Sequence, residues 1–403
     1  IPSAKRFASK AEISLKGMFT PGAIFEELGF HYIGPIDGHD LNLLIDTLKN
    51  LNNLKGPKFL HVITTKGKGY LPAEKDQIGF HAISKMPGPS ELTMNKKPKY
   101  SDIFGEWACK KAEEDNNLIA ITPAMTEGSG LVNFSKAFPD QFYDVAIAEQ
   151  HSMTFAAGLA CSGKKPVLAI YSTFLQRAYD QLIHDVAIQN LDVMLAIDRA
   201  GFVGEDGATH AGIFDLSFLR CVPNLTLMTP SDENELWLML NTGYDLKTPV
   251  AVRYPRGSGP GSEISHSDEK IEIGKAKVVK EIESDVVLLS FGSLLPIAEE
   301  ISDELNYSLI DMRFVKPIDE SLLLKLAQSN KLLVTLEENV IAGGAGSAVN
   351  EVLNQNFLST DVLNIGIPDH FPKVGSPLDQ RKEAGLSKED IIEQINKKLN
   401  SMK

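Results

Sequence analysis

Between residues 101 and 254, short and mostly apolar runs take turns with longer segments of helical patterning, and few folds accept that rhythm. The short runs lie at 118–122, 143–148, 166–171, 192–198, 225–229 and 249–254. They are strand-length and rich in Val, Ile, Leu and Ala. Helical patterning fills 101–115, 130–137, 149–162, 174–190 and 231–244, and a long loop runs to about residue 222. Ser231-Asp-Glu-Asn-Glu, after Pro230, is a helix start with acids in its first turn. Strands joined through helices pair in parallel, because a crossover of that length returns the chain to the same end of the sheet. The loops at their carboxyl ends then share one rim, where such sheets bind ligands.

The flanking regions repeat the pattern. Residues 1–30 carry helical patterning broken at Thr20-Pro21-Gly22. A short strand then ends in a Gly-Pro-Asp turn, Asp40 or Asn42 can cap a helix at Leu41–Leu51, and a strand spans 57–65. Lys66-Gly-Lys-Gly-Tyr70 follows at that strand's carboxyl end. Beyond residue 275 come strands 285–290, 307–311, 331–336 and 361–366, with helices 295–304, 319–329, 345–355 and 387–400. Polar, proline-broken or Gly/Ser-rich linkers at 86–100 and 259–274 divide the chain into regions 1–85, 101–258 and 275–403. The expected class is α/β: three domains of sheets flanked by helices, parallel in the first two and mixed in the last.

At 403 residues there is enough chain for several cores, and 43% hydrophobic with 23% charged residues is ordinary globular composition. A net charge of -13 argues against nucleic acid as a partner. No run reaches the ~18 apolar residues of a membrane helix, and the start lacks a signal-peptide layout. Cys109, Cys161 and Cys221 have no metal or redox spacing, so a cytoplasmic protein with reduced thiols is expected. The chain opens at Ile1 as if inside a domain, so the first domain is expected to be incomplete.

Within Tyr143–Ala160 an acid, Glu149, follows the apolar run Val145–Ala148 at a strand-to-helix junction. A carboxyl among apolar neighbours can keep its proton and donate a hydrogen bond. A first-turn Glu that complements the helix dipole accounts for it equally well. The rim should also collect Tyr171, Ser172, Thr173 and Phe174, then Asp198 and Arg199, then Asp206 and His210, and finally Arg253 and Arg256. Glu149, Tyr171, Arg199, His210 and Arg256 could converge there, and two arginines suit a phosphate monoester. Asp198 with Arg199 reads equally as a structural pair. Arg177, His151 and His184 read as structural, interface or packing residues. Gly343-Gly-Ala-Gly346 reads as close packing at a helix start rather than a phosphate loop.

Several blocks carry a resemblance. They are Gly34-Pro-Ile-Asp-Gly-His39, Asp144-Val-Ala-Ile-Ala-Glu-Gln-His151, Tyr171-Ser-Thr-Phe-Leu-Gln-Arg-Ala-Tyr-Asp180 and Asp198-Arg-Ala-Gly201. Thr229-Pro-Ser-Asp-Glu233, Arg253-Tyr-Pro-Arg-Gly257 and Glu337-Glu-Asn-Val-Ile-Ala-Gly-Gly-Ala-Gly346 continue it. In order and content they resemble the 1-deoxy-D-xylulose-5-phosphate synthase family, relatives of transketolase. The resemblance implies a homodimer that uses thiamine diphosphate and Mg2+. It also implies condensation of pyruvate with D-glyceraldehyde 3-phosphate to 1-deoxy-D-xylulose 5-phosphate and CO2, for isoprenoid, thiamine and pyridoxal synthesis.

By the same resemblance, Glu149 would hydrogen-bond the cofactor's aminopyrimidine, Phe174 would stack on it, Ile147 would support its bent form and Tyr70 would touch it. His81 would face the reacting end. Tyr171, Arg199 and Arg256 would hold the aldehyde's phosphate, and Asp206 and His210 would orient the reactants. The family's Gly-Asp-Gly…Asn metal motif is not found, since Glu205-Asp-Gly207 lacks the companion Asn. No metal ligand is therefore expected in this chain. A separate amino-terminal fragment of the same protein could supply that half. The competing readings are a transketolase, the β subunit of a 2-oxoacid dehydrogenase, and a non-catalytic dimerising remnant.

Overall fold

A computed structural model describes residues 22–77, 80 and 97–403. The chain divides into two units, 1–95 and 96–403. In the first, β1 (His31–Asp37) and β2 (Lys58–Ile63) pair in parallel across the helix Leu41–Asn52. The helix starts where Asp40, rather than Asn42, accepts the Leu43 amide at 3.0 Å. His39 receives the Thr65 amide on Nε2 at 2.7 Å, which ties the turn after β1 to the end of β2 and gives this histidine a structural bond.

The second unit holds two sheets. The larger contains β3 (Leu118–Thr122), β4 (Phe142–Asp144), β5 (Lys165–Tyr171), β6 (Met194–Ala200), β7 (Thr226–Met228) and β8 (Val250–Pro255). The smaller contains β9 (Lys277–Lys280), β10 (Val286–Phe291), β11 (Ser308–Asp311), β13 (Leu332–Val340) and β14 (Asp361–Ile367), in the order β14-β13-β10-β11-β9. Between β11 and β13 the chain sends β12 (Phe314–Lys316) into the larger sheet, whose order is β12-β7-β8-β6-β5-β3-β4. Only β12 against β7 and β9 against β11 run antiparallel; the other pairs in these two sheets are parallel. Apolar residues of both sheets, such as Ile121, Leu195, Phe291 and Leu333, belong to one continuous core. Strands as short as β9 and β12 carry too few residues to show a period, and the sequence pattern passed over both.

Two expected elements differ. The strand predicted at 143–148 stops at Asp144, and the reason is local. Its carboxylate accepts the amides of Ala124 and Ala146, each at 2.9 Å, and the Thr126 hydroxyl at 2.7 Å. An Asx turn of this kind competes with the ladder, and Ala146 sits at φ +58°. The predicted helix 174–190 begins at Ser172 instead and changes pitch, tightening over Gln176–Ala178 and widening over Leu182–Ala187.

The long loop after β6 is a closed excursion. Gly201 and Gly212 exchange backbone bonds of 2.7 and 2.9 Å, forming a neck from which residues 202–211 project. Arg253, 4% exposed, clamps the neck. Its Nε donates to both oxygens of the fully buried Asp215, at 2.9 and 3.0 Å, and its Nη2 donates to Gly212 O and Glu338 O. The expected rim role for Arg253 is corrected: the residue lies inside the sheet and is spent on its neighbours. Asp215→Ala would strand a buried guanidinium. We expect a loss of about 3–5 kcal/mol, read as a lowered urea midpoint.

Candidate active site

The parallel register sets one rim. Tyr171 ends β5 opposite Asp198 of β6, and Arg256 follows the last residue of β8. Arg199 takes φ +59°, which turns its side chain back on Asp198. One oxygen of that carboxylate accepts the Arg199 amide at 2.6 Å and the other pairs with its guanidinium. The guanidinium also donates to Gly128 O at 2.8 Å and lies over the Tyr171 ring, 4.1 Å from its centroid. Gly128 has to be glycine, because a Cβ there would stand 1.9 Å from the Tyr171 hydroxyl oxygen.

From Tyr171 the contacts continue without a gap. Its ring stacks on Phe174 at 5.4 Å and 12°, and Phe174 meets the His210 ring edge-on at 5.4 Å. The Arg177 guanidinium lies 5.3 Å from the Phe174 ring, and its Nη1 donates to Glu149 Oε1 at 2.8 Å. Glu149, Arg177, Phe174, Tyr171 and Arg199 thus form one chain of contacts, with His210 attached. Arg256 donates to Val203 O and pairs with Glu205 at 3.3 Å and Asp206 at 3.5 Å.

Glu149 opens the helix Glu149–Cys161 and is 4% exposed. The expected surroundings are corrected in two respects. The preceding run does not wall the carboxyl in, since Ile147 is 79% exposed, and a guanidinium faces it directly. Its other oxygen, Oε2, has no hydrogen-bond partner among the described residues. Arg177, read in the sequence as a structural or interface residue, pairs with Glu149, a contact the sequence did not suggest. Its spacing of three from Phe174 put both on one helical face and was the available signal. Tyr70 belongs to the first unit, where it is half exposed and packs against Phe80. His81 lies outside the described residues. His151 stacks on Phe155, and the exposed His184 pairs with Asp185.

Burial pushes the Tyr171 hydroxyl up to about 12 against the pull of Arg199, so near neutrality it is an uncharged donor. Burial also raises the Asp198 carboxyl to about 6, outweighing Arg199. Arg199 Nε and the hydroxyls of Ser129 and Ser172 are buried without a partner among the described residues. The rim therefore gathers two guanidinium groups and a neutral phenol, an arrangement suited to an oxyanion. The Gly343–Gly346 loop is not such a site. Its amides at Ala345 and Gly346 are taken by the buried Glu337 carboxylate at 2.7 and 2.8 Å.

Comparison with known proteins agrees in all three regions. Residues 1–64 match the family described as 1-deoxy-D-xylulose-5-phosphate synthase. Residues 96–261 match the transketolase pyrimidine binding domain, and 274–391 the transketolase C-terminal domain. The chain is similar to the 1-deoxy-D-xylulose-5-phosphate synthase of Hahella chejuensis, 58% identical over 405 residues, covering 100% of this chain and 63% of that protein. The synthase of Colwellia psychrerythraea is 57% identical and covers 99% of this chain, which spans 65% of it. The chain therefore spans just under two thirds of these relatives' length.

Among solved structures it is similar to a split-gene transketolase described as an inactive beta4 tetramer. The TM-score is 0.67 with 28% identity, over 74% of this chain and 97% of that one. The transketolase of Campylobacter jejuni shares the fold, with TM-score 0.60 and 19% identity, over 94% of this chain and 70% of that one.

The Asp198 carboxyl leaves a signature in stability. Its folded value lies above that of an unfolded aspartate, so between pH ~4 and ~6 the folded state holds the extra proton. Its contribution to stability falls as pH rises through that window and levels off above it. Urea midpoints of Asp198→Asn measured against the parent should show the parent losing ground across that window and no further change to pH ~7.5.

Proposed function

Because the chain belongs to the 1-deoxy-D-xylulose-5-phosphate synthase family, we propose that it carries the pyrimidine-side half of a thiamine-diphosphate site. That site would condense pyruvate with D-glyceraldehyde 3-phosphate, releasing CO2. The observation that supports this best is the contact chain from the buried, half-engaged carboxyl of Glu149 to the unused Nε of Arg199. It offers a buried carboxyl with one oxygen still open at one end and an anion cradle at the other, a span that a purely dimerising remnant has no need of.

The described residues fit the aminopyrimidine end of the cofactor. Oε2 of Glu149 is open to a ring nitrogen, and the Phe174 ring is adjacent through Arg177. When bound, thiamine diphosphate supplies the electron sink for decarboxylating a 2-oxo acid. Glu149 would meet the aminopyrimidine's ring nitrogen with Oε2, while Arg177 fixes Oε1 and so the carboxyl's orientation. Tyr171 would donate a hydrogen bond from its hydroxyl to a phosphate oxygen, and Arg199 would add its positive charge beside it. Arg256 is held by carboxylates that are 61% and 38% exposed, pairs weak enough for a phosphate to displace. His210 bonds Thr209 through Nδ1 at 2.9 Å, which leaves Nε2 for the reactants. Ile147, Tyr70 and His81 stay in the proposal as cofactor-side residues.

Among the described residues no three of His, Cys, Asp and Glu gather to hold a metal. We assign Mg2+ and diphosphate binding to the part of its relatives' length that this chain does not span. A homodimer belongs to the same proposal, and the exposed Ile188, 69%, suits a second copy. So does a cytoplasmic location; no described helix is long and apolar enough to cross a membrane.

The test assays CO2 release from pyruvate with glyceraldehyde 3-phosphate, thiamine diphosphate and Mg2+. The chain would be measured alone and mixed with the remaining portion of a relative. Activity only in the mixture is expected; a mixture that releases no CO2 would count against the reading. In the active mixture, Arg199→Lys removes the guanidinium fork. The aldehyde's KM should rise roughly 30-fold while that of pyruvate stays within about two-fold. Glu149→Gln should lower kcat by at least ~100-fold with little change in either KM.

A further inference from the structure

The excursion that carries Asp206 and His210 is gripped from outside its own sheet. Phe202 N donates to Glu338 Oε1 at 2.8 Å, and Gly204 N donates to Gln380 Oε1 at 2.8 Å. Gln380 Nε2 donates in turn to Gly204 O at 3.2 Å and to Lys373 O at 2.7 Å. Gln380 is 2% exposed, so these bonds form away from solvent, where an unmet partner is costly. Arg381 locks Glu338 through Nε at 2.9 Å and Nη2 at 2.8 Å. The packing is equally close. A Cβ on Gly204 would meet Pro377 Cδ at 3.0 Å and one on Gly207 would meet Val374 Cγ2 at 2.8 Å, both at positive φ.

On the side that faces solvent the same excursion is loosely held. Asp206 reaches Arg256 only at 3.5 Å, with both side chains more than a third exposed, and Arg256 is otherwise anchored on Val203 O and Glu205. Residue 203 is thus the hinge of the arrangement: its carbonyl holds Arg256, and its neighbours 202 and 204 are bolted to Glu338 and Gln380. We propose that Gln380, backed by Glu338 and Arg381, is a positioning residue for the phosphorylated acceptor. Through Gly204 it sets where the Val203 carbonyl, and with it Arg256, stands. The third region then shapes acceptor binding without touching the acceptor. The inference rests on the reading of Arg199 and Arg256 as the phosphate cradle.

Gln380→Met keeps the side chain's length and removes its three bonds. The full chain would be titrated with glycerol 3-phosphate, a non-reacting stand-in for the aldehyde, and amide exchange followed over residues 202–207. The expected result is roughly ten-fold weaker binding with faster exchange confined to that stretch. Ser387→Ala, which removes only the cap of the helix Lys388–Ser401, is the stability control and should leave the affinity within about two-fold. Parent-like affinity in Gln380→Met, or an equal loss in Ser387→Ala, overturns the proposal. Should Gln380→Met not fold, Arg381→Lys, which loosens the grip on Glu338 and so on Phe202 N, must show a fall in the same direction, unchanged affinity again overturning it. A parent chain that does not bind glycerol 3-phosphate would bring down the cradle reading and this inference with it. Parent binding that the variants leave intact would sink this inference alone.

Discussion

A buried ion pair governs the rim. Arg253 and Asp215 give up nearly all contact with water, which is expensive, and the cost is offset because Nε and Nη2 of the guanidinium and both carboxylate oxygens meet partners in the fold. What the pair delivers is geometry. It joins the neck at Gly212 to the backbone of Glu338, so the end of β6, the base of the excursion after it and β13 are tied together. Arg256 and Asp206 then sit beside a well-packed support while remaining partly open to solvent.

Much of this was legible in the chain. The alternation of short apolar runs with helices implied parallel sheets, and parallel sheets implied a shared rim; Tyr171 facing Asp198 in register follows from both. What the sequence hid was competition for backbone groups. Val145–Ala148 look like strand, yet Asp144 takes the amide of Ala146 and ends the ladder early. Arg253 and Arg256 look alike on paper, three residues apart. One lies within β8 and is spent on the core, while the other falls just past its end and reaches the surface. Arg177 was discounted because nothing in its neighbours in sequence reveals a carboxylate that arrives from 28 residues away.

Carboxylates decide which amide-rich turns are free to bind anything. Gly343–Gly346 has the look of a phosphate loop, but Glu337 occupies it, with its carboxyl raised to about 7 by burial even as two amides pull the other way. At the rim the balance is reversed. Arg199 keeps a buried Nε–H without a partner among the described residues, and Arg256 leans on carboxylates that are themselves exposed. A glycine-rich motif reports where backbone can approach closely; whether a ligand or a side chain of the protein fills the space is set by residues far away in sequence.

The strand β12 has a consequence for how such a chain can be taken apart or recombined. Phe314 is fully buried among the aromatic residues of the larger sheet, and the Thr229 amide is met by Arg313 O at 2.8 Å. A cut in the polar stretch 262–273 would look harmless, since it lies between two regions each matched by its own family. The upstream piece would nevertheless leave with β7 as a bare edge and a hole where Phe314 belongs. Such an edge recruits any extended backbone it meets. Gene fusions, fissions or truncations that part these regions at the linker would therefore yield a sticky fragment, while a cut just after Lys316 would instead part β10 from β13 and open the smaller sheet.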